Sequence, residues 1–466
     1  MKDEPHLRDH VDNHFSKREY FINLSNTIYF FKMSKVAWLS LILLPYLTCA
    51  QIKNIKLDDV GSLQPAIVIN KKNPLNIVAA TAPDNIYYTV DGGIIWQSMK
   101  VKSSLGVNGN PTLVSDDKGN IFSFHLAGTM GEELQNNTMS EQILCHISKD
   151  GGKTWDEGSP FALNGTKIQN NPTATVDAKG NIWVAWTQFD KYKSDEKGCQ
   201  SNVFLTSSSN GKKWSKPVHI SQLPGDCSDD DNSVKGPVPA IGADGKAFVA
   251  WANQNKLFLD RSFSGGDLWL SNDITVGQQT GGWKMSISGH ESANGRPILM
   301  IDQSKSMYQG CLYLVWADQR NGENDTDVWL MRSTNFGDNW SSPAKVAADT
   351  SRRHQYLPSM AIDQVTGYIY TVFYDRSAYD DAKTDVCVAY STDGGINFKT
   401  TRISETPFTS DEKSAFTDYI GISAHKGVIT PIWTRIDEGK ASVWTAIINQ
   451  NDLMQIPQAS GKKKKK

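Results

Sequence analysis

Five apolar segments of the chain end in an aromatic residue, and a polar residue follows each aromatic two positions later. The aromatics are Trp186, Trp251, Trp316, Phe373 and Trp433. The polar residues are Gln188, Asn253, Asp318, Asp375 and Arg435. Amide, carboxylate and guanidinium groups at one recurring position suit the binding or conversion of a polar ligand. We expect Gln188 and Asn253 to be binding residues at such a site.

Two further arginines, Arg320 and Arg376, stand close to the third and fourth of these positions. Together with Arg435 they supply three guanidinium groups, which can bind carboxylates or sulfates through paired hydrogen bonds. We therefore expect these three arginines to bind an anionic ligand. Asp318 and Asp375 are the matching candidates for an acid, a base or a nucleophile. In the alternative interpretation, the two carboxylates pair with the arginines and only brace the loops.

A break in a repeated pattern marks Asp418 and Tyr419 as further candidates. Six segments open on a proline, at Pro65, Pro111, Pro172, Pro237, Pro297 and Pro358. About 60 residues after Pro358, the run 418–423 matches the apolar pattern of residues 358–363 but opens on Asp418. Since six prolines precede this exception, we assign Asp418 and Tyr419 to the candidate catalytic site. The alternative is a core tyrosine beside an aspartate that caps a turn.

The loops before the proline-led segments hold more residues that could do chemistry. Glu291 is a further catalytic candidate, and Arg296 and His354 are candidates for binding the substrate. The neighbouring polar residues are His290, Arg352, Arg353 and Tyr356. Any of them could act as an acid, a base or a sugar contact. Because loops are polar by default, each could equally be an ordinary solvent-facing residue.

The densest acidic cluster consists of Asp226, Asp229, Asp230 and Asp231. Carboxylate oxygens at this density can bind Ca²⁺, although the loop lacks the spacing and the terminal glutamate of an EF-hand. A solvated acidic loop is the alternative. The sequence contains no glycine-rich phosphate loop and no zinc-binding helix motif. We expect no other cofactor.

The segments that carry these residues form a repeat. Each proline opens a short apolar stretch, a turn and a second apolar stretch follow, and two more β segments complete the unit. Short alternating β segments at a fixed period predict an all-β fold, a β-propeller with four-stranded antiparallel blades. The unit that begins near Asp418 makes seven blades and lacks its fourth strand, which residues 51–57 can supply. A six-bladed ring is the alternative, since the first unit is short.

One hairpin signature recurs in six of the units. It runs from a small hydroxyl residue through Asp or a substitute and Gly to an aromatic, at residues 89–96, 148–155, 207–214, 262–269, 333–340 and 391–398. Asp caps nearby backbone N–H groups and Gly accepts positive φ, so the signature predicts a tight turn. The aromatic can then pack against the base of the hairpin.

This hairpin resembles the Asp box, or BNR repeat, of the sialidase superfamily. Residues 148–155 match the form Ser-x-Asp-x-Gly-x-Thr-Trp fully, while Ser209, Ser264 and Asn335 replace the aspartate in three other copies. The resemblance covers roughly residues 51–451. It implies a propeller whose Asp boxes lie on the face opposite the active site. We name these the lower face and the upper face.

The resemblance also bears on activity. In sialidases a tyrosine of the last blade, activated by a neighbouring carboxylate, is the nucleophile, and the location of Tyr419 is similar. The chain departs from the family at the Phe/Tyr-Arg-Ile-Pro motif, because its first strand reads Gln64-Pro65-Ala66-Ile67. We therefore carry no sialidase catalytic residue over to this sequence. The resemblance implies a glycan partner.

Targeting and composition set the expected compartment. Residues 1–32 are predicted to be an unstructured extension, residues 33–50 a secretory signal peptide cleaved near Ala50, residues 51–455 a single propeller domain, and residues 456–466 a lysine-rich tail. The net charge of −2 gives no reason to expect nucleic acid as a partner. We expect an exported monomer, secreted or periplasmic, with no membrane span.

Cysteine use fits export. Apart from Cys49, five cysteines remain, and Cys199 and Cys227 lie in polar loops where a disulfide could join them. Cys145, Cys311 and Cys387 lie within apolar strand patterns and are expected to be buried.

These observations lead to two functional hypotheses. The first is an exported sialidase-like glycoside hydrolase, an exo-glycosidase that acts on an acidic sugar of glycans. The alternative is a non-catalytic propeller that binds a glycan or a protein through the same face. The arginines and carboxylates favour the first hypothesis, and the missing Arg-Ile-Pro motif favours the second.

Overall fold

The computed structural model describes residues 52–59, 64–128, 142–290, 293–347, 349–409 and 419–456. The predicted extension at 1–32, the predicted signal peptide at 33–50 and the lysine run at the end of the tail lie outside the described residues. Among the described residues, no helix is long and apolar enough to cross a membrane.

The described strands form seven antiparallel sheets, which confirms the seven-bladed propeller. The strands of blades one to three are β2 (Ala66–Ile69), β3 (Ile77–Thr81), β4 (Asn85–Thr89), β5 (Gln97–Lys100), β6 (Asn108–Ser115), β7 (Ile121–Leu126), β8 (Ile143–Ser148), β9 (Ser159–Phe161), β10 (Ile168–Val176), β11 (Ile182–Phe189), β12 (Ser201–Ser208) and β13 (Val218–His219). Those of blades four and five are β14 (Lys235–Ile241), β15 (Ala247–Asn253), β16 (Lys256–Ser262), β17 (Ile274–Gln278), β18 (Ile298–Ile301), β19 (Leu312–Asp318), β20 (Asp327–Ser333) and β21 (Ala344–Lys345).

Blades six and seven carry small additions. Blade six contains β22 (Gln355–Ile362), β23 (Ile369–Asp375), β24 (Lys383–Ser391), β25 (Lys399–Arg402) and the short β26 (Phe408–Thr409), which pairs with β24. Blade seven contains β27 (Gly421–His425), β28 (Val428–Asp437), β29 (Lys440–Thr445) and the short β30 (Ile448–Asn449), which pairs with β28 and leads into helix α1 (Gln450–Gln455).

The ring is closed by the N-terminal strand. β1 (Ile55–Asp58) pairs with β29 and so becomes the outermost strand of blade seven. The Tyr87 hydroxyl of blade one donates to Asp58 Oδ2 at 2.6 Å, and Asn54 Nδ2 donates to the Ile403 carbonyl of blade six at 2.8 Å. This confirms the prediction that the N-terminal segment completes the last blade. It also covers the open edge of β29, which could otherwise pair with another chain.

Apolar faces of neighbouring blades pack against each other around the axis. The innermost strands β2, β6, β10, β14, β18, β22 and β27 contact one another in that order, and β27 returns to β2. The aromatics that end the second strands, among them Trp186, Trp251, Trp316 and Trp433, are fully buried between blades. Burying a side chain of this size contributes several kcal/mol, roughly 3–5 when judged by truncation to alanine. The polar residues that follow are therefore held by rigid strand ends.

The recurring hairpin begins at the last residue of the third strand in each of six blades. In blade three this residue is Ser208 and not the predicted residue 207, because Asn210 rather than Ser209 accepts the hydrogen bonds of the missing aspartate. In blade two, Ser148 Oγ accepts from the Gly152 N–H at 2.8 Å and donates to Asp150 Oδ1 at 2.9 Å. Asp150 accepts in turn from the Thr154 N–H at 2.9 Å. The Trp155 indole N–H closes the turn on the Gly152 carbonyl at 3.1 Å. These bonds satisfy the turn internally, so the hairpin braces a blade.

In blade seven, the residue that occupies the place of the repeated proline is not the one predicted. In blade six, Val372 pairs with Ser359, the residue after Pro358. In blade seven the equivalent Ile432 pairs with Gly421, so Ile420 holds the proline position and Tyr419 precedes it. The prediction placed Asp418 there, two residues too early. Side chains in a strand alternate with period two, so a shift of two residues gives the same apolar pattern. The pattern therefore cannot distinguish the two registers.

The cysteines behave as predicted. Cys199 and Cys227 form a disulfide that joins two upper-face loops, and Cys145, Cys311 and Cys387 are free and buried.

Candidate functional site

Three side chains from different blades meet at the upper end of the axis. The Tyr419 hydroxyl of blade seven donates to Asn171 Oδ1 of blade three. The guanidinium carbon of Arg296, which leads into blade five, lies 4.7 Å from the centroid of the Tyr419 ring. Blades three, five and seven do not adjoin, so these contacts reach across the axis. We call the residues directly before the prolines, together with Tyr419, the rim residues.

Four of the residues that directly precede a proline share a left-handed backbone conformation. Gln64, Asn171, Gly236 and Leu357 each precede a proline and have φ of 55°, 52°, 54° and 49°. In blades three, four and six the pairing with the second strand shifts register at this point, as in a β-bulge. Non-glycine residues adopt this left-handed conformation rarely, and it concentrates at functional sites. The bulge interrupts the innermost strand where it meets the upper face.

Gly236 shows how tightly the rim is packed. A Cβ at this residue would lie 3.0 Å from Arg296 Cγ and 3.0 Å from Cη2 of Trp283. The missing side chain therefore makes room for both residues beside the axis. Lys235, the preceding residue, is buried and pairs with Asp229, whose other oxygen accepts from the Tyr192 hydroxyl at 2.7 Å.

Arg296 borders a small cavity with Asn294, Leu357 and Tyr419. The Arg296 backbone N–H donates to Asn294 Oδ1 at 3.1 Å, which fixes the start of its strand. Its side-chain Nε is buried and has no hydrogen-bond partner among the described residues. Arg296 also forms no ion pair with a carboxylate in the described part of the chain.

Arg376 lies behind the rim in a nearly closed environment. Its Nε donates to Thr384 Oγ1 at 3.0 Å, and Nη1 donates to the Ser288 carbonyl at 2.9 Å. The guanidinium carbon lies 5.4 Å from the centroid of the Tyr356 ring. Nη2 has no hydrogen-bond partner among the described residues, and only 4% of Arg376 is exposed. None of the ion pairs between described residues includes Arg376, so its buried charge is held by neutral groups alone.

Two histidines border Arg376. His290 stands edge-on to the Tyr356 ring with centroids 4.9 Å apart, and burial, reinforced by Arg376, lowers the pKa of His290 to about 3. His354 Nδ1 lies 3.0 Å from Thr326 Oγ1, and burial, with the charges of Arg376 and Arg353, lowers its pKa to about 4. Both imidazoles are therefore neutral at pH 7. The positive charge of this region comes from the arginines.

Asp318 and Arg320 pair with each other. Arg320 donates from Nε to Asp318 Oδ1 at 2.9 Å and from Nη2 to Oδ2 at 2.6 Å. The Trp316 indole N–H also donates to the buried Asp318, at 2.8 Å. The Arg320 guanidinium in turn lies 4.5 Å from the Trp329 ring. This arrangement matches the alternative interpretation, in which the pair braces its own loop.

Arg435 makes a similar pair with a carboxylate two residues away. Its Nε and Nη2 donate to Asp437 at 2.6 and 2.7 Å, and Nη1 donates to the Thr406 carbonyl at 2.9 Å. The structure therefore does not bring Arg320, Arg376 and Arg435 together on one ligand. Arg320 and Arg435 each pair with a carboxylate, whereas Arg296 and Arg376 have no carboxylate partner among the residues that the structure describes.

The other three strand-end residues hold neighbouring loops. Asp375 accepts from the Ser377 N–H at 2.8 Å and from the Cys387 thiol at 3.4 Å, and burial raises the pKa of this carboxyl group. Gln188 Oε1 accepts from Asn164 Nδ2 at 2.9 Å. Asn253 Nδ2 donates to the Leu223 carbonyl at 3.2 Å. All three are buried.

Glu291 and Asp418, the remaining catalytic candidates, lie outside the described residues. Among the described candidates, Tyr419 and Arg296 are in contact, and Asp318 and Asp375 are held by other partners. Asn171 and Asn294 were not predicted. The signal for Asn171 was its place directly before Pro172, a position that the repeated proline marks in six blades.

The acidic loop distributes its carboxylates over separate partners. Asp226 accepts from Ser228 and Ser233, Asp229 pairs with Lys235, and Asp230 lies 3.6 Å from Lys284 Nζ. The fourth carboxylate, of Asp231, accepts from the Trp283 and Lys284 N–H groups. Within the described ranges, no group of three His, Cys, Asp or Glu could hold a metal ion. Each of the four carboxylates therefore has its own partners within the protein.

Comparison with known proteins identifies the fold and leaves the family open. No family model matches the chain, and no curated protein matches it. Among solved structures, an ulvan lyase of a polysaccharide lyase family, solved with -[GlcA(1-4)Rha3S]-, has a TM-score of 0.53 at 14% identity and covers 87% of this chain and 100% of its own.

Two further solved structures are glycosidases. An α-L-arabinofuranosidase from Fusarium graminearum has a TM-score of 0.49 at 11% identity and covers 86% of this chain and 99% of its own. A sialidase from Trypanosoma rangeli, in complex with sialic acid, has a TM-score of 0.46 at 13% identity and covers 86% of this chain and 60% of its own. The chain is thus similar in fold to a polysaccharide lyase.

Proposed function

We propose that the upper rim binds an acidic sugar and that the chain is an exported glycan-acting propeller. The observation that carries this proposal is the contrast between two kinds of arginine. Arg320 and Arg435 each have their own aspartate, whereas Arg296 and Arg376 form no ion pair in the described part of the chain. A guanidinium group near the axis without a protein carboxylate is suited to a carboxylate or sulfate brought by a ligand.

The surroundings strengthen this preference for an anion. The Arg296 guanidinium lies over the Tyr419 ring, so its charge is held in place by an aromatic face. Arg376 is buried, and in a poorly hydrated environment a charge acts over a longer range than in water. The neutral His290 and His354 neither add to this charge nor oppose it. The ulvan lyase of similar fold was solved with a ligand that contains a uronic acid and a sulfate, the same class of anion.

A hydrolytic activity is the more specific form of the proposal. In it Tyr419 is the nucleophile of a sialidase-like glycoside hydrolase, and Asp418 or Glu291 supplies the carboxylate. A tyrosine nucleophile is a known exception to the use of two carboxylates by glycosidases. The observation in favour is the place of Tyr419, on the axis and in contact with Arg296.

The second candidate function is binding without catalysis. The fixed partners of Asp318 and Asp375 favour it, because two of the four candidate carboxylates are already engaged in bracing loops. Export is part of both proposals. The disulfide between Cys199 and Cys227 supports it, since disulfides persist in oxidising compartments.

A panel of sialosides, uronides, sulfated glycans and neutral glycans tests both forms. Purified protein should bind or convert acidic members and ignore neutral ones. Sugar release that disappears in Tyr419→Phe supports the hydrolase, and binding without release in either protein supports the binding module. If Tyr419→Phe releases sugar at the wild-type rate, Tyr419 is not the nucleophile. Equal binding of neutral and acidic glycans removes the proposal as a whole.

A further inference from the structure

A second concave site lies at the other end of the axis. A cavity of about 780 Å³ is lined by the lower ends of the innermost strands of all seven blades and by the turns that follow them. Its volume falls within the roughly 300–1,000 Å³ typical of small-molecule sites. The lower face also carries the six hairpins, so this cavity is separate from the upper rim.

The wall of the cavity is mostly aliphatic, with Ser115, Thr175 and Ser423 as its polar members along the strands. Examples of the aliphatic side chains are Val68, Val176, Ala240, Ile301, Ala361 and Ile422. Each of these six residues is buried. Small aliphatic side chains leave a smooth passage between the blades. Such a passage suits an alkyl chain better than a sugar, which needs hydrogen-bond partners.

The mouth of the cavity is basic. Lys71, Lys72 and Lys426 line it, and Lys71 lies 3.8 Å from Asp117. Lys72 and Lys426 form no ion pair among the described residues, and both are exposed. The other carboxylate at the mouth, Asp177, accepts four hydrogen bonds from neutral donors of Lys179, Asn181 and Trp183, which leave its negative charge in place. Three lysines and two carboxylates therefore give the mouth a net charge of +1.

Hydrogen bonds between blades fix the shape of the mouth. Gln303 Nε2 donates to the Ile241 carbonyl of blade four at 2.6 Å, and Gln364 Nε2 donates to the Ile301 carbonyl of blade five at 3.1 Å. His425 Nε2 lies 2.9 Å from the Lys71 carbonyl and links blade seven to blade one. These contacts hold the opening in one shape, so a ligand would find a preformed site.

We propose that this cavity binds a single-chain anionic amphiphile, with its alkyl chain along the axis and its acidic head group between Lys72 and Lys426. The aliphatic wall selects the chain, because burying each CH₂ contributes about 0.8 kcal/mol. The two lysines select the sign of the head group. The site is independent of the upper rim and of any activity there.

The test is a binding titration with full-length protein, after any co-purified lipid has been extracted and identified by mass spectrometry. Decanoate serves as the probe, and acetate, decanol and decyltrimethylammonium serve as comparisons. Decanoate should bind with a stoichiometry of one, and the other three at least about tenfold more weakly, the factor that 1.4 kcal/mol gives. Lys72→Gln with Lys426→Gln should weaken decanoate about tenfold.

The matched control is Lys149→Gln with Lys153→Gln, two exposed lysines on a lower-face hairpin away from the mouth. It should bind decanoate as the wild type does. Ala361→Phe narrows the passage and should abolish binding, and its thermal unfolding shows whether it has folded. If Ala361→Phe does not fold, the affinities of the four probes and of the two double lysine variants still test the proposal. Absence of saturable decanoate binding, equal affinity for the ammonium homologue, or equal weakening in the control overturns the proposal.

Discussion

At the scale of single residues, the four candidate arginines differ in their partners, since Arg320 and Arg435 each pair with an aspartate and Arg296 lies over the Tyr419 ring. The sequence shows that arginines are abundant in the upper loops, and that they are suited to binding an anion. Which of them have a carboxylate partner depends on loop geometry over two residues, as in Asp318 with Arg320 and Arg435 with Asp437. A pattern of residue types does not contain that geometry, so the paired and unpaired arginines could be separated only in three dimensions.

The buried pair of Asp318 and Arg320 should matter for stability. Arg320→Gln leaves the fully buried Asp318 carboxylate without its cation, which we expect to lower the free energy of unfolding by about 3 kcal/mol. Urea unfolding followed by tryptophan fluorescence measures the change. The control is Arg353→Gln, whose partner Asp380 is fully exposed, and which should change stability by less than about 0.5 kcal/mol. If both variants unfold alike, the buried pair is not a brace.

A stacked pair of buried histidines should make the protein sensitive to acid. The rings of His125 and His146 lie 4.8 Å apart in blade two, and burial, with the charge of His146, lowers the pKa of His125 to about 3. The unfolded chain binds the proton near its ordinary pKa of 6.5 and the folded chain does not. Stability therefore falls as the pH drops from about 6.5 towards 3, by about 1.4 kcal/mol per unit for this residue.

In the variant His125→Leu, the unfolded chain has no imidazole at this position and cannot bind the proton. Between pH 7 and pH 5, the free energy of unfolding should fall by about 2 kcal/mol less in this variant than in the wild type. The comparison does not depend on how stable the variant is at pH 7. Urea unfolding at both pH values gives the comparison. A variant whose stability falls with pH as steeply as that of the wild type would show that His125 already titrates normally in the folded protein.

At the scale of elements, the repeat was predictable because hairpins and alternating strands are local. Five of the six hairpins begin where they were expected, the hairpin of blade three begins one residue later, and the N-terminal strand closes the ring as expected. The start of blade seven was misplaced by two residues, because strand periodicity cannot detect a slip of two. The left-handed rim residues were not anticipated at all. Their conformation arises from bulges between strands, which depend on pairing rather than on local sequence.

The hairpin bonds give a prediction at this scale. Ser148→Ala removes the acceptor of the Gly152 N–H and the donor to Asp150, and leaves a buried N–H without a partner. We expect a loss of about 1–2 kcal/mol in the free energy of unfolding. The exposed Ser271 in blade four provides the control, as Ser271→Ala should be neutral. An equal and small effect in both variants would contradict the bracing role of the hairpin.

At the scale of the whole molecule, the closure of the ring by β1 is the critical contact. Removing residues 51–58 exposes the edge of β29 and the contacts of Tyr87 and Ile403. We expect the protein without this strand to unfold at a temperature lower by roughly 10 °C or more, and to self-associate through the exposed edge. Scanning calorimetry and size-exclusion chromatography measure both effects. A monomer with unchanged melting would mean that blade seven is stable with three strands.

The propeller also separates its two ends. The upper rim gathers polar and charged groups from blades three, five and seven, and the lower end of the axis gathers aliphatic side chains under a basic mouth. Seven sheets packed around one axis hold both ends rigid, so each can present a preformed site. The proposed glycan site and the proposed amphiphile site can therefore be tested separately.

The measurement that bears most directly on the central claim is calorimetric titration of an acidic oligosaccharide into wild-type protein, Arg296→Gln and Arg402→Gln. Arg402 is an exposed arginine on the outer strand of blade six and serves as the control. We predict that Arg296→Gln weakens binding at least about tenfold, because a charge-assisted contact is worth roughly 1.5–3 kcal/mol. Arg402→Gln should bind as the wild type does. Unchanged affinity in a folded Arg296→Gln would contradict the proposed anion site at the upper rim.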